Sequence, residues 1–118
     1  MLFRSDRVRI VAVEPEESAV LSGRPGGSHK IEGIGAGFVV PLWIPGLADE
    51  IQAVSTAEAM ATARRLAREE GIFAGTSTGA NVAVALRVAE GLGPGHTVVT
   101  LAVDSGMKYL STALYHQS

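Results

Sequence analysis

Residues 71–86, GIFAGTSTGANVAVAL, constrain the fold of this chain more than any other stretch. A short apolar run (Ile72, Phe73, Ala74) leads into a turn of glycine and hydroxyl residues that ends at Gly79, and a long apolar helical pattern follows at once. A turn placed between a strand and a helix points free backbone N–H groups at the space beyond the end of a sheet. The stretch therefore predicts a site for an anion or for a polar ring atom.

Composition narrows the class of protein. The 118 residues favour one domain, residues 1–118, and 47% hydrophobic with 19% charged residues is typical of a globular protein. The net charge of −2, without a basic block, argues against nucleic-acid binding and against a cationic membrane-binding face. No run approaches the roughly 20 apolar residues that span a bilayer, and the charged N-terminus lacks a signal-peptide core. We therefore expect a cytoplasmic protein.

Cysteine and histidine usage argues against disulfide and metal chemistry. The chain has no cysteine, which excludes disulfides, thiolate catalysis and cysteine–metal sites. Its three histidines, His29, His96 and His116, are isolated and lack ligand spacing. We expect no metal site.

The hydrophobic patterns alternate between strand and helix, which predicts an α/β layered unit. Ser55 followed by Glu58 forms a capping box at a helix start, and Gly71 is a helix stop. The predicted elements are strands at 7–13, 52–55 and 97–103, a short helix at 16–21, a long loop at 22–37, helices at 55–70 and 79–90, and final helical turns at 109–115. The turns at 75–79 and 104–106 both follow candidate strands, so we expect them to line one crevice.

The turn at 75–79 also reads as G-x-S-x-G, the pattern of a hydrolase nucleophile elbow. Ser77, Asp104 and His116 even occur in the hydrolase order. However, only twelve residues separate Asp104 from His116, and no HGGG-type oxyanion segment is present. A hydrolase is thus the weakest hypothesis. In the simplest alternative, Thr76 or Ser77 only caps the following helix, a role that is compatible with ligand contact.

The glycine-rich loop at 33–37 invites a dinucleotide-binding interpretation. Its spacing does not match GxGxxG, and no helix pattern follows, so we reject that interpretation. Two alternatives stay open, which are a flexible loop and a backbone that must pass close to a ligand.

Three groups of motifs together resemble one family. In order and spacing they are similar to the C-terminal part of the cysteine synthase (O-acetylserine sulfhydrylase) and cystathionine β-synthase group of pyridoxal-phosphate enzymes. The motifs are VEP at 13–15, VLSG at 20–23 and HKIEGIGAGF at 29–38; ARRLA at 63–67, EEG at 69–71 and GTSTGA at 75–80; and DSG at 104–106 with KYLSTAL at 108–114.

The resemblance implies a fold, a cofactor and a reaction. It implies the C-terminal portion of the large domain of a fold-type II (tryptophan synthase β-like) pyridoxal-phosphate enzyme, usually a homodimer. The implied reaction is β-replacement on an amino acid in cysteine biosynthesis, for example O-acetylserine and sulfide to cysteine. By resemblance, Ser77 meets the pyridine nitrogen of pyridoxal 5'-phosphate, and Gly35 and Ala36 border the substrate side. A neutral hydroxyl does not hold that nitrogen protonated as a carboxylate would, which favours elimination over transamination.

The chain also departs from the family pattern. The family's Schiff-base lysine, its asparagine-containing substrate loop and its phosphate loop lie in a segment with no counterpart here. Neither Lys30 nor Lys108 matches the catalytic lysine, and Val103 and Met107 stand where proline and glutamate are common. We expect a chain that is inactive by itself and exposes apolar surface. The alternative is a non-catalytic remnant or binding module of the same fold.

Overall fold

A two-stranded parallel sheet forms one layer of the protein. The computed structural model describes Ser5 and residues 7–116. Strand β1 (Val11–Pro15) pairs in parallel with β2 (Glu50–Val54), in a register that aligns Val11 with Glu50 and Pro15 with Val54. The strands predicted at 7–13 and 52–55 are therefore present. However, β1 begins later than predicted and continues through Pro15. Proline is tolerated at this strand end although it cannot donate a hydrogen bond.

Helix α1 (Thr56–Arg65) begins where the sequence predicts, and the helical stretch as a whole ends at the predicted stop, Gly71. The Ser55 hydroxyl accepts a hydrogen bond from the Glu58 N–H at 3.2 Å, which caps the helix start. After Arg65 the backbone widens into a π-helical turn, Leu66–Glu70, and Gly71 closes it with a φ of 68°. Glycine adopts this left-handed conformation without steric cost.

Helix α2 (Thr76–Leu92) packs on α1 and on the sheet. It begins three residues before the predicted start at 79. A Cβ at Gly79 would overlap the Ala59 carbonyl oxygen, so glycine allows the two helices to approach closely. The main core lies between α2, α1 and the loop before β2, and comprises Ile31, Val54, Ala59, Ala80, Ala83 and Val84. The second half of α2 is less buried than the first, and Leu86 is 52% exposed.

Two predicted strands are wrong. Neither residues 72–74 nor residues 97–103 adopt strand structure. A strand needs a partner for its N–H and C=O groups, and β1 and β2 are the only strands that pair within the described part of the chain. The apolar sequence of these segments is therefore not sufficient to form strands, and Ile72, Val99 and Leu101 are exposed.

The remaining segments are short turns and loops. The predicted helix at 16–21 is two 3-10 turns, Glu16–Ser18 and Val20–Ser22, and the predicted final helix is reduced to one 3-10 turn, Gly106–Tyr109, followed by irregular turns. No helix in residues 7–116 has both the length and the apolar content that crossing a bilayer requires. As expected, many large apolar side chains are exposed, including Phe38, Leu42, Ile44, Val99 and Leu101.

Candidate functional site

The first turn of α2 is capped by a carboxylate from a distant part of the sequence. The cap position of the helix is Gly75, which has no side chain to satisfy the free N–H groups. Asp104 takes over this role, because its Oδ1 accepts hydrogen bonds from the N–H of Gly75 at 3.1 Å and of Thr78 at 3.3 Å. A negative charge at this position also interacts favourably with the helix dipole.

Three hydroxyl groups converge on the same carboxylate. Ser77 Oγ donates to Asp104 Oδ2 at 2.8 Å, and the Tyr109 hydroxyl donates to the same oxygen at 3.2 Å. The Thr78 hydroxyl donates to Oδ1 and accepts from the Val103 N–H at 3.1 Å. We name Gly75, Ser77, Thr78, Asp104 and Tyr109 the Asp104 cluster.

Glycines allow the two turns of the site to come together. A Cβ at Gly75 would overlap the Asp104 carboxylate and the Tyr109 ring, and one at Gly106 would overlap the Phe73 ring. The Gly106 N–H donates to the Phe73 carbonyl at 3.0 Å, which fixes one turn against the other. The turns at 75–79 and 104–106 are therefore adjacent, as predicted, although neither follows a strand.

The hydrogen bonds keep Asp104 ionised. Partial burial pushes its pKa upward, but the bonds from Thr78, Ser77, Gly75 and Tyr109 together hold the pKa below its ordinary value. The pKa of Tyr109 is raised by burial and by the neighbouring carboxylate, so this phenol stays protonated. The cluster thus combines one fixed negative charge with three neutral hydroxyl donors.

A cavity of about 290 Å³ lies beside the cluster. Thr76 borders it, and its buried hydroxyl forms no well-aligned hydrogen bond among the described residues, although its interaction with the Tyr109 hydroxyl lowers the pKa of that phenol. At the rim, Lys108 Nζ forms an ion pair with Glu32 at 3.0 Å. The cavity is lined by His29, Lys30, Glu32, Met60, Thr76, Tyr109, Thr112 and Ala113. An unpaired buried hydroxyl is costly, so Thr76 is poised to bond to a ligand.

The glycine-rich loop lies at a different cavity. Gly35 and Ala36 border a smaller space of about 110 Å³, together with Glu14 and Trp43 among others. The His29 ring connects the two regions, because its Nε2 hydrogen-bonds to the Gly35 carbonyl at 2.8 Å while the same side chain borders the larger cavity. A Cβ at Gly35 would meet His29 and Pro15, so contacts within the protein explain this glycine.

The structure does not assemble a hydrolase triad. Ser77 donates directly to Asp104, and neither of them hydrogen-bonds to a histidine in the described part of the chain. The backbone N–H of His116 donates to the Thr112 carbonyl at 2.8 Å, and no bond joins this residue to Ser77. A hydrolase needs an imidazole between serine and carboxylate, so the G-x-S-x-G interpretation is wrong.

Sequence reasoning placed Ser77 and Asp104 but missed their relationship. It named Thr76 or Ser77 as the cap of α2, but the cap position is Gly75, and it missed Thr78 and Tyr109 as site residues. One signal was available, because a helix that starts at Gly75 without its own cap needs an acceptor from elsewhere. The DSG turn contains the carboxylate that fills this role, but no spacing rule identifies such a long-range partner.

Comparison with known proteins agrees with this geometry. Residues 2–104 match the family model described as pyridoxal-phosphate dependent enzyme. The chain is 48% identical over 108 residues to cysteine synthase of Staphylococcus aureus (strain Mu50 / ATCC 700699), covering 92% of the chain and 35% of that protein. The chain thus spans about a third of the length of the curated relatives it matches.

Comparison with solved structures finds similarity to the same kind of enzyme. A cysteine synthase from Entamoeba histolytica superposes with a TM-score of 0.88 at 41% identity, covering 94% of this chain and 33% of that one. An O-acetylserine dependent cystathionine beta-synthase from Helicobacter pylori superposes with a TM-score of 0.85 at 37% identity, covering 92% and 35%. The α/β unit described above is therefore part of the fold-type II architecture of these enzymes.

Proposed function

The chain belongs to the pyridoxal-phosphate dependent enzyme family, and from this premise we propose that it supplies the ring-nitrogen side of the cofactor site in a cysteine synthase-like β-replacement enzyme. The observation that carries the proposal is the buried Ser77 hydroxyl, held at the start of α2 by Asp104. A hydroxyl at a helix start suits a polar ring atom.

The residues present fit this cofactor. Its pyridine ring needs a hydrogen-bonding group at the nitrogen, which Ser77 provides. The neighbouring Thr76 hydroxyl is buried without a well-aligned hydrogen bond and borders a cavity of about 290 Å³, close to the lower limit of about 300 Å³ for small-molecule sites. Thr76 thus offers a buried hydroxyl to a polar group of a ligand in this cavity.

Each residue has a distinct part in the proposed site. Ser77 holds the ring nitrogen, Asp104 positions Ser77, and Gly35 and Ala36 border the substrate. The cofactor, when bound, supplies an electron sink for the amino-acid substrate. Neither Lys30 nor Lys108 corresponds to the family's catalytic lysine, so the covalent chemistry requires a lysine from outside these 118 residues, and the chain alone is inactive.

The resemblance supplies the other parts of the proposal. We assign residues 1–118 to the C-terminal part of the family's large domain. The substrate is an amino acid of the O-acetylserine or serine type, with sulfide or a thiol as the second reactant. The assembled enzyme is a homodimer in the cytoplasm.

A chimera tests the proposal. The chain replaces the matching 108 residues of the Staphylococcus aureus cysteine synthase, which supplies the remaining two thirds of the fold. We expect the chimera to bind pyridoxal phosphate and to form cysteine from O-acetylserine and sulfide. Ser77→Ala in the chimera should lower kcat, whereas Ser111→Ala, the same change at an exposed position, should not.

The outcome also separates the two functional hypotheses. A chimera that folds and binds the cofactor but forms no cysteine would assign the chain to a non-catalytic binding module, because the donor enzyme provides everything else. A folded chimera that fails to bind pyridoxal phosphate would contradict both hypotheses.

A further inference from the structure

One histidine ring ties the glycine-rich loop to the residues that precede it. The Ile31 N–H donates to His29 Nδ1 at 3.1 Å, and His29 Nε2 lies 2.8 Å from the Gly35 carbonyl oxygen. A backbone N–H can only donate, so Nδ1 must accept and the ring proton must lie on Nε2. The two partners therefore select the Nε2–H tautomer, which donates to Gly35.

The bond from His29 is the single hydrogen bond that residues 33–37 form within the described part of the chain. Gly33, Gly35 and Gly37 have left-handed backbones, with φ values of 91°, 65° and 83°. Glycine reaches many other conformations as easily, so the sequence of the loop does not hold it in one shape. The loop is held instead by its bond to His29 and by Ile34, which packs against the main core.

The residues next to His29 are anchored independently of this bond. The Ile31 side chain is fully buried in the main core, and the Lys30 N–H donates to Thr56 Oγ1, at the start of α1, at 3.1 Å. The imidazole therefore extends from a fixed backbone to Gly35. A Cβ at Gly35 would overlap both this ring and the ring of Pro15, so the glycine fits closely between them.

We infer that His29 is a positioning residue, whose Nε2–H sets the orientation of the Gly35–Ala36 peptide and thereby orders the loop at 33–37. Because a peptide unit is planar, fixing the Gly35 carbonyl also fixes the Ala36 N–H, which points the opposite way. The consequence for substrate rests on the proposed function, in which Gly35 and Ala36 border the substrate. A loop that is ordered beforehand binds its ligand with a smaller entropic cost, so His29 should act on KM more than on kcat.

The first experiment uses the chain without any ligand. At pH 8, ¹⁵N NMR of the histidine rings should show an unprotonated Nδ1 and a protonated Nε2 at His29. The variant His29→Asn keeps an oxygen that can accept from the N–H two residues on, as in an Asx turn, but its side chain is too short to reach Gly35. We expect the Ile31 amide to stay protected from hydrogen exchange, while the ¹⁵N order parameters of residues 33–37 fall from about 0.85 to below about 0.6.

The control for this experiment is His96→Asn, the same change at an exposed histidine, which should leave the loop unaltered. A protonated Nδ1 at His29 in the wild type would overturn the inference, and so would unchanged order parameters in His29→Asn.

The second experiment measures turnover in the chimera. His29→Asn should raise the KM for O-acetylserine by roughly fivefold and leave kcat and the absorbance of the bound cofactor unchanged, whereas His96→Asn should leave KM unchanged. An unaltered KM in His29→Asn, or a loss of kcat together with the cofactor, would overturn the role of His29 at the substrate. Failure of the unsubstituted chimera to bind pyridoxal phosphate would instead contradict the proposed function, since the ligand-free experiment decides the bond to Gly35 independently.

Discussion

The start of α2 and the 97–103 segment meet at Asp104, yet they differ in almost every physical respect. Around the first turn of α2, the polar groups of the Asp104 cluster are hydrogen-bonded to one another, and Ser77 is only 4% exposed. Along 97–103, apolar side chains face outward, and Val99 and Leu101 are 83% and 68% exposed. The Asp104 cluster is therefore bonded within the described residues, whereas the apolar side chains of the 97–103 segment lie largely in solvent.

The difference between these two regions shows that hydrogen bonds between adjacent turns can form in one part of a fold, whereas strand pairing requires the neighbouring strands. The Asp104 cluster needs only two adjacent turns, and each donor finds its acceptor there. A parallel strand needs at least one neighbouring strand to pair with and cover over its faces. The 97–103 segment is instead held to α2 by bonds from Asn81 Nδ2 to the Leu101 carbonyl at 3.2 Å and from the Val103 N–H to Thr78.

Removing the carboxylate should have the largest effect on stability. Asp104→Ala leaves the first turn of α2 without a cap and three hydroxyls without an acceptor. We expect a loss of about 3 kcal/mol in the free energy of unfolding, measured by urea denaturation at pH 7. Glu90→Ala, which removes an equal charge from the exposed end of α2, is the matched control and should change little.

The contribution of Asp104 to the free energy of unfolding should also depend on pH. The pKa of this carboxyl is lower in the folded than in the unfolded chain. Its stabilising effect is therefore complete above the ordinary aspartate pKa and is lost as the pH falls through the folded value. The difference between wild type and Asp104→Ala should shrink below about pH 4. A difference that stays constant on acidification would mean that the ionised form is not the stabilising one.

Helix packing behind the cluster offers the next test. Gly79→Ala places a methyl group against the Ala59 carbonyl and should force α1 and α2 apart. We expect a destabilisation of about 2 kcal/mol, measured by thermal unfolding. Gly91→Ala, in the same helix but with no atom near the added group, should be neutral or stabilise by up to about 0.5 kcal/mol. Equal effects at the two glycines would show that the buried start of α2 is not tightly packed.

Local signals predicted much of the fold. The Ser55 cap, the Gly71 stop and the strand near 52–55 depend on short-range chemistry, and each is present in the structure. The patterns at 72–74 and 97–103 satisfy the same local rules but form no strand. Strand formation depends on a partner, and no local pattern contains that information.

The candidate site was predictable only where it depends on local sequence. The turn sequence identified Ser77, and the resemblance gave it a role at a ring nitrogen. The bond from Ser77 to Asp104 crosses 27 residues, and its direction depends on the ionisation of a carboxyl that accepts from donor groups of four residues. Such a network follows only from the three-dimensional arrangement of the two turns.

A substitution in the exposed apolar segment should have the smallest effect on folding. Leu101→Lys places a charge where the side chain is already mostly in solvent, so the free energy of unfolding should change by less than about 0.5 kcal/mol. Self-association, measured by sedimentation velocity, should decrease because a charge interrupts an apolar surface. Leu114→Ala, at a fully buried leucine, should cost about 3 kcal/mol in the same assay. If Leu101→Lys were as destabilising as Leu114→Ala, the 97–103 segment would be packed in solution, and the contrast with the start of α2 would disappear.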